Sequence, residues 1–137
     1  MVTLNSIMNI KAYKTHIKTY APIIFWGLVA FVTGLFLVED VGILPTSSHL
    51  DKIIHTCLFT MLTLVGYLAY MDYKKWLYIS LAIYGATTEI MQEMFTNTRF
   101  ASIHDWLADL TGILIAALLI KIVINNFNVQ SCYDNRI

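Results

Sequence analysis

Charged side chains are scarce in this sequence: Asp, Glu, Lys and Arg make up 13% of its 137 residues, against about 25% in an average soluble domain. Nine basic residues balance nine acidic ones, so the chain lacks the positive charge typical of nucleic-acid binding, and we expect no nucleic-acid partner. There are two cysteines, Cys57 in an apolar run and Cys132 in a polar segment, and we expect no disulfide between them. The sequence has no internal repeat, and its length allows one domain.

Hydrophobic sequence is what the chain has in abundance, at 58% of its residues. It is gathered into four runs of about the 20 residues that a membrane-spanning helix needs. The first run is not a signal peptide, because it starts late and has no small-x-small cleavage site behind it. The pattern predicts an all-α fold, an integral membrane antiparallel bundle of four transmembrane helices. The four runs are residues 20–38, 53–71, 76–95 and 103–124.

Polar segments flank and join the hydrophobic runs. A weakly basic lead-in, residues 1–19, precedes the membrane domain, residues 20–124, and a polar tail, residues 125–137, follows it. Glycine and proline break the helix in the loop between the first two runs. A tight link at 72–75 makes the second and third helices an antiparallel hairpin.

Basic residues predict the orientation of the chain in the membrane. Cytoplasmic loops of membrane proteins carry an excess of lysine and arginine. With four crossings, the three basic regions share one face, so we expect both termini in the cytoplasm and residues 39–52 and 96–104 outside. The basic residues are Lys11, Lys14 and Lys18, then Lys74 and Lys75, then Lys121 and Arg136.

Polar residues crowd the outward end of the predicted bundle, where the second helix begins, the third ends and the fourth begins. At 1.5 Å per residue, Glu89 and Asp109 each lie roughly 9 Å from that end. A charged side chain at this depth costs up to about 3 kcal/mol of insertion free energy toward the bilayer centre. Neither Glu89 nor Asp109 is close enough to a helix end to act as a cap. The polar residues are Asp51, Lys52, His55, Glu89, Gln92, Glu93, Arg99, Ser102, His104, Asp105 and Asp109.

Some of these residues have simpler roles open to them. Asp51 is a plausible cap of the second helix, and Ser102 with Asp105 fits the S-x-x-D signal that opens the fourth. Glu93 and His104 are best interpreted as facing water. Lys52 and Arg99 could simply lie at the membrane interface, where basic side chains are common.

The charge of the group is unbalanced, with five carboxylates against two bases. Carboxylates held close together in a low dielectric do not all ionise. Shared protons, a bound cation or a cationic histidine would offset the excess. Arg99 is expected to bridge the acids, because a guanidinium binds two carboxylates, or a carboxylate and a phosphate, in a fork geometry.

Five motifs in this order and spacing resemble those of the VanZ-like family of bacterial membrane proteins, over roughly residues 25–122. One position departs from the family, which usually has Asn where this chain has Asp109. The resemblance implies a multi-pass protein of the bacterial cytoplasmic membrane with a role in the cell envelope, as in the teicoplanin resistance associated with the family's namesake. The motifs are DKIIH at 51–55, E-x-x-Q at 89–92, Arg99, Ser102 and D-x-x-A-D-x-x-G at 105–112.

Three functions remain open. In the first, the group binds or modulates a membrane lipid, a lipid-linked cell-wall intermediate or a glycopeptide. The alternative is an intramembrane acid–base hydrolase or transferase on a lipid-linked substrate at the outer leaflet, with Glu89, Asp109 and His55 as candidate catalytic residues. A proton-coupled carrier is third. The expected ligand-binding residues are Asp51, Lys52, His55, Glu89, Gln92, Arg99, Ser102, Asp105 and Asp109.

A metal-dependent variant of the enzyme would use His55 with Asp51, Glu89 or Asp109. No metal or other cofactor is expected, however, because the sequence offers one clear histidine and no H-x-x-x-H spacing. The oligomeric state is left open. We expect the second, third and fourth helices to pack around the polar group, and the first helix to be peripheral because it has no ionisable residue there. His55, Glu89, Arg99, Asp105 and Asp109 are expected to form one hydrogen-bonded network.

Overall fold

The computed structural model of the chain is all-helical. It describes residues 4–38, 48–97 and 100–134, with side chains from 16–38, 49–97 and 100–126. A single turn of 3-10 helix, Met71–Tyr73, connects the second long helix to the third. The long helices are α1 (Leu4–Leu37), α2 (Ser48–Ala69), α3 (Lys74–Phe95) and α4 (Ile103–Asp134).

Two of the helices are longer than the sequence suggests. α1 begins at Leu4, so most of the expected lead-in is helical and continuous with the first hydrophobic run. α4 continues to Asp134, through most of the expected tail. Both extensions lack glycine and proline, so nothing in them breaks a helix that has already started. α2 begins at Ser48, so Asp51 lies in its first turn and is not its cap; a carboxylate there still complements the helix dipole.

Within the described part of the chain, three helices are long and apolar enough to cross a membrane. The segments are His16–Leu37, His49–Ala69 and Ile103–Asn126. α3 is also long enough, at 22 residues, but Glu89, Gln92 and Glu93 make its last two turns too polar for the same criterion. The membrane character of three helices thus follows from length and composition, and a fourth crossing by α3 remains a proposal.

The interior of the bundle is made by one apolar stripe on each helix. α2 packs most extensively against α4 and next against α1. The outer faces carry large exposed apolar side chains, which suits contact with lipid tails, because soluble monomers rarely expose large apolar patches. The buried core consists of Phe25, Val32, Phe36, Phe59, Leu62, Leu77, Leu81 and Ile113.

α2 and α4 approach each other closely at Gly112. A Cβ added there would overlap the backbone oxygen of Thr56, so the two backbones pack with no room for a side chain. Two threonine hydroxyls cross the same interface: Thr56 donates to the Ala108 carbonyl at 3.2 Å and Thr60 to the Gly112 carbonyl at 3.1 Å. Small residues and hydroxyl bonds of this kind hold helices together in membranes.

Candidate functional site

Three ionisable side chains from three helices meet in the interior of the bundle. His55 of α2 places its Nδ1 atom 2.9 Å from Oδ1 of Asp109 on α4. The same Nδ1 lies 3.8 Å from Oε1 of Glu89 on α3. We call His55, Glu89 and Asp109 the buried site.

Burial of these three groups is almost complete: the exposed fraction is 1% for His55, 4% for Glu89 and 0% for Asp109. Helical spacing explains it. His55 precedes the core residue Phe59 by one turn of α2, and Asp109 precedes Ile113 by one turn of α4, so each occupies the core-facing stripe of its helix. The sequence places polar residues at the end of stripes that are otherwise apolar.

Helix α1 closes the buried site, contrary to the expectation that it would be peripheral. The Phe36 ring stacks on the His55 imidazole, with centroids 4.3 Å apart and planes 12° apart. The Gln92 amide donates a hydrogen bond to the Phe36 carbonyl at 3.2 Å. Phe36 lies in the last turn of α1, where a carbonyl has no partner within the helix. The expectation failed because it weighed only ionisable groups, whereas α1 contributes a ring face and a backbone carbonyl.

The start of α4 connects to the buried site through Ser102. The Ser102 backbone N–H donates to Oε2 of Glu89 at 2.9 Å. The Ser102 hydroxyl accepts a long hydrogen bond, 3.4 Å, from the backbone N–H of Asp105, as the S-x-x-D spacing predicts. Asp105 in turn pairs with Lys52 at 3.1 Å, where the lysine is partly exposed. Asp105 is therefore connected to Glu89 through Ser102, at the edge of the hydrogen-bonded network.

The remaining predicted residues are distributed as follows. Asp51 is partly buried in the first turn of α2, and Gln92 is buried beside Phe36. Glu93 and His104 are exposed, as their interpretation as water-facing residues requires. Arg99 lies outside the described residues, so its bridging role stays a prediction.

Some polar atoms of the buried site have no hydrogen-bond partner among the described residues. They are Nε2 of His55, Oε1 of Glu89 and Oδ2 of Asp109. Buried polar atoms are almost always paired in folded proteins, so these three indicate chemistry beyond internal packing. One donor atom from each residue lies within 4.8 Å of the others.

A shallow cavity of about 270 Å³, wide open to the outer surface of the helices, lies between α3 and α4 next to Glu89. The Trp106 indole N–H donates to the Ala82 carbonyl at 3.0 Å, which holds one wall in position. Glu89 and Ser102 supply the polar part of a mainly apolar lining. The lining residues are Ala86, Glu89, Ile90, Ala101, Ser102, Ile103 and Trp106.

A second cavity, of about 310 Å³, lies near the opposite end of the bundle and is rich in aromatic residues. Its lining includes Trp26, whose indole N–H donates to the Tyr70 hydroxyl at 2.9 Å. None of its lining residues is Asp, Glu, His, Lys or Arg. Of the two cavities, the one beside Glu89 is thus the one with an ionisable side chain in its lining.

Sequence reasoning missed Phe36 and the cavity wall formed by Trp106. Phe36 is an ordinary apolar residue of an uncharged run, and its only signal was its position near the end of that run. Trp106 lies near the start of the fourth hydrophobic run, where a tryptophan is typical of the membrane interface, and its indole hydrogen bond to α3 has no signature in the sequence.

The chain was compared with models of protein families, with curated proteins and with solved structures, and nothing in any of the three matches it. The resemblance to the VanZ-like family therefore rests on the motifs themselves.

Proposed function

We propose that the chain is a VanZ-like multi-pass protein of the bacterial cytoplasmic membrane that binds the polar part of an envelope lipid or of a lipid-linked cell-wall intermediate. A glycopeptide engaged through one of its groups is a further ligand of this kind. The single observation that carries the proposal is the cavity beside Glu89, which has apolar walls and one buried carboxylate.

The lining of this cavity suits an amphipathic ligand. Ile90, Ile103 and Trp106 offer apolar surface to a hydrocarbon segment. The Glu89 oxygen Oε2 already accepts a hydrogen bond from the Ser102 N–H, and a carboxylate oxygen has a second lone pair with which to accept from a hydroxyl or an amine. An intramembrane acid is costly unless it finds such a partner.

The size of the cavity limits what enters it. Its volume, about 270 Å³, is at the low end of the roughly 300–1,000 Å³ of small-molecule sites. It has room for one headgroup or one chain segment, so the rest of a larger ligand would lie outside it, along α3 and α4.

Filling the cavity tests the proposal without substituting a residue of the buried site. We expect protein purified in mild detergent to retain lipid in native mass spectrometry, and Ala86→Phe to lower the affinity about tenfold, or ~1.4 kcal/mol. Ile83→Phe is the matched control, because Ile83 is exposed on the same helix and is not part of the lining. Equal lipid retention by both variants would show that the lipid does not bind in this cavity.

An acid–base enzyme is the second candidate, and the His55–Asp109 hydrogen bond is the observation that favours it. An imidazole held by one carboxylate with a second carboxylate 3.8 Å away is an arrangement suited to proton transfer. Turnover of envelope lipids by protein reconstituted in vesicles would support this candidate, provided that His55→Gln abolishes it. The binding proposal predicts no turnover in the same assay.

A further inference from the structure

We propose that His55, Glu89 and Asp109 together bind one divalent transition-metal ion of the zinc or manganese type. The three residues lie on three helices, so the sequence contains no ligand spacing and the fold alone assembles the site. This inference goes beyond the proposed lipid binding and does not depend on it.

The distances between the donor atoms fit a single ion. Bonds of about 2.0–2.2 Å from zinc to nitrogen or oxygen place neighbouring ligands of a tetrahedral ion roughly 3.3–3.6 Å apart. His55 Nδ1 lies 2.9 Å from the Asp109 carboxylate and 3.8 Å from that of Glu89. One donor atom from each of the three residues lies within 4.8 Å of the others, so side-chain rotations are needed to bring the set to the spacing of bound ligands.

Charge and hydrogen bonding both leave a need for a cation. Two ionised carboxylates with a neutral imidazole carry a formal charge of −2, which a divalent ion offsets. The internal hydrogen bond between His55 and Asp109 leaves Oε1 of Glu89 and Oδ2 of Asp109 without partners in the described part of the chain. These atoms belong to side chains that are more than nine-tenths buried, where stranded charge is expensive.

The donor set selects the class of ion. One imidazole nitrogen with carboxylate oxygens suits zinc, manganese or ferrous iron, whereas magnesium and calcium prefer oxygen alone. Three protein ligands leave one position of a tetrahedral ion open, as in catalytic zinc sites. The Phe36 ring covers a face of the imidazole, and the ring edge that carries Nδ1 faces the two carboxylates, so a metal ion would replace the hydrogen bond between Nδ1 and Asp109.

Groups around the three ligands orient them in the way that metal sites require. The Ser102 N–H holds Oε2 of Glu89, which leaves Oε1 as the ligand atom. Gly85 makes room for the Asp109 carboxylate, because a Cβ there would lie 2.8 Å from Oδ2 of Asp109. The carboxylates are thus positioned from neighbouring elements.

Metal content of the purified full chain tests the proposal. The protein in detergent is loaded with Zn²⁺, Mn²⁺ or Mg²⁺, dialysed and analysed by inductively coupled plasma mass spectrometry. We expect about one zinc or manganese ion per chain and no retained magnesium. Asp109→Asn and Glu89→Gln should each lower affinity at least tenfold, whereas Glu93→Gln, the same change at an exposed glutamate of the same helix, should bind like the wild type.

The ligand set is tested on the wild type alone by X-ray absorption at the metal edge, so the proposal stays testable if a variant fails to fold. An imidazole nitrogen with oxygen ligands is expected; sulfur, or the absence of imidazole, overturns the proposal. Retention below a tenth of an equivalent of both zinc and manganese also overturns it, as does unchanged binding by the double variant Glu89→Gln, Asp109→Asn. Protein that keeps lipid but no metal contradicts this inference alone, and protein that keeps metal but no lipid contradicts only the proposed function.

Discussion

At the scale of single residues, His55 is the centre of the buried site because it contacts all three other helices. It hydrogen-bonds Asp109 of α4, lies 3.8 Å from Glu89 of α3 and stacks on Phe36 of α1. No other side chain of the buried site joins so many elements. Its removal therefore affects both the electrostatics and the packing of this end of the bundle.

Substitution of His55 by alanine should destabilise the protein strongly. It strands two buried carboxylates and opens a void under the Phe36 ring, and breaking a buried pair from one side costs about 3–5 kcal/mol. Thermal unfolding in detergent measures the loss. His104→Ala is the control, because His104 is exposed on α4 and its removal should leave the melting temperature unchanged. Equal melting temperatures for both variants would show that His55 contributes nothing to stability.

At the scale of helices, α2 and α4 make the most extensive helix–helix contact in the described chain, and we call this contact the seam. Gly112 permits it, and hydroxyl groups of Thr56 and Thr60 bond across it. The seam lies beside the buried site, because Gly112 is one turn beyond Asp109 on α4. The separation of these two helices thus determines how His55 meets Asp109.

Gly112→Ala should force α2 and α4 apart. The added Cβ would meet the Thr56 carbonyl oxygen, and overpacking of this kind costs about 1–3 kcal/mol. Gly27→Ala is the matched control, since a Cβ at Gly27 meets nothing within 4 Å and alanine favours the helix. We expect a lower melting temperature for Gly112→Ala only. An equal decrease in melting temperature for both variants would contradict close packing of α2 and α4 at Gly112.

The sequence predicted the helices and their convergence better than the contacts of the site. Long apolar runs predict helices because a spanning segment satisfies its backbone internally, and antiparallel order brings Glu89 and Asp109 to the same end. The sequence did not predict the ring stacking of Phe36 on His55, because nothing in an apolar run indicates which residue a given side chain will contact. It also argued against a metal site, because ligands on three separate helices leave no local spacing to recognise.

At the scale of the whole molecule, orientation in a membrane would decide which side of it the buried site faces. Three helices have the length and composition to cross a membrane. α3 is more polar, with Lys74 and Lys75 at its start and Glu89 and Gln92 near its end. If α3 also crosses, the lysine distribution places both termini in the cytoplasm and the buried site near the outer surface.

Single cysteines test that orientation. In a background with Cys57→Ser and Cys132→Ser, Ser47→Cys should react with a membrane-impermeant thiol reagent in intact cells, and Lys74→Cys should react only after the cells are opened. The physical reason is the excess of lysine on the Lys74 side. The reverse labelling pattern would move the buried site to the cytoplasmic surface and exclude ligands of the outer leaflet.

The unequal packing of the helices has a mechanical consequence. His55 and Asp109 belong to the closely packed pair α2 and α4, whereas Glu89 is carried by α3, which makes less extensive contact with its neighbours. The cavity beside Glu89 lies between α3 and α4, so a molecule wedged into it pushes on the helix that carries the third carboxylate. We therefore expect a molecule bound in the cavity to change the 3.8 Å separation of Glu89 and His55 more than it changes the His55–Asp109 hydrogen bond.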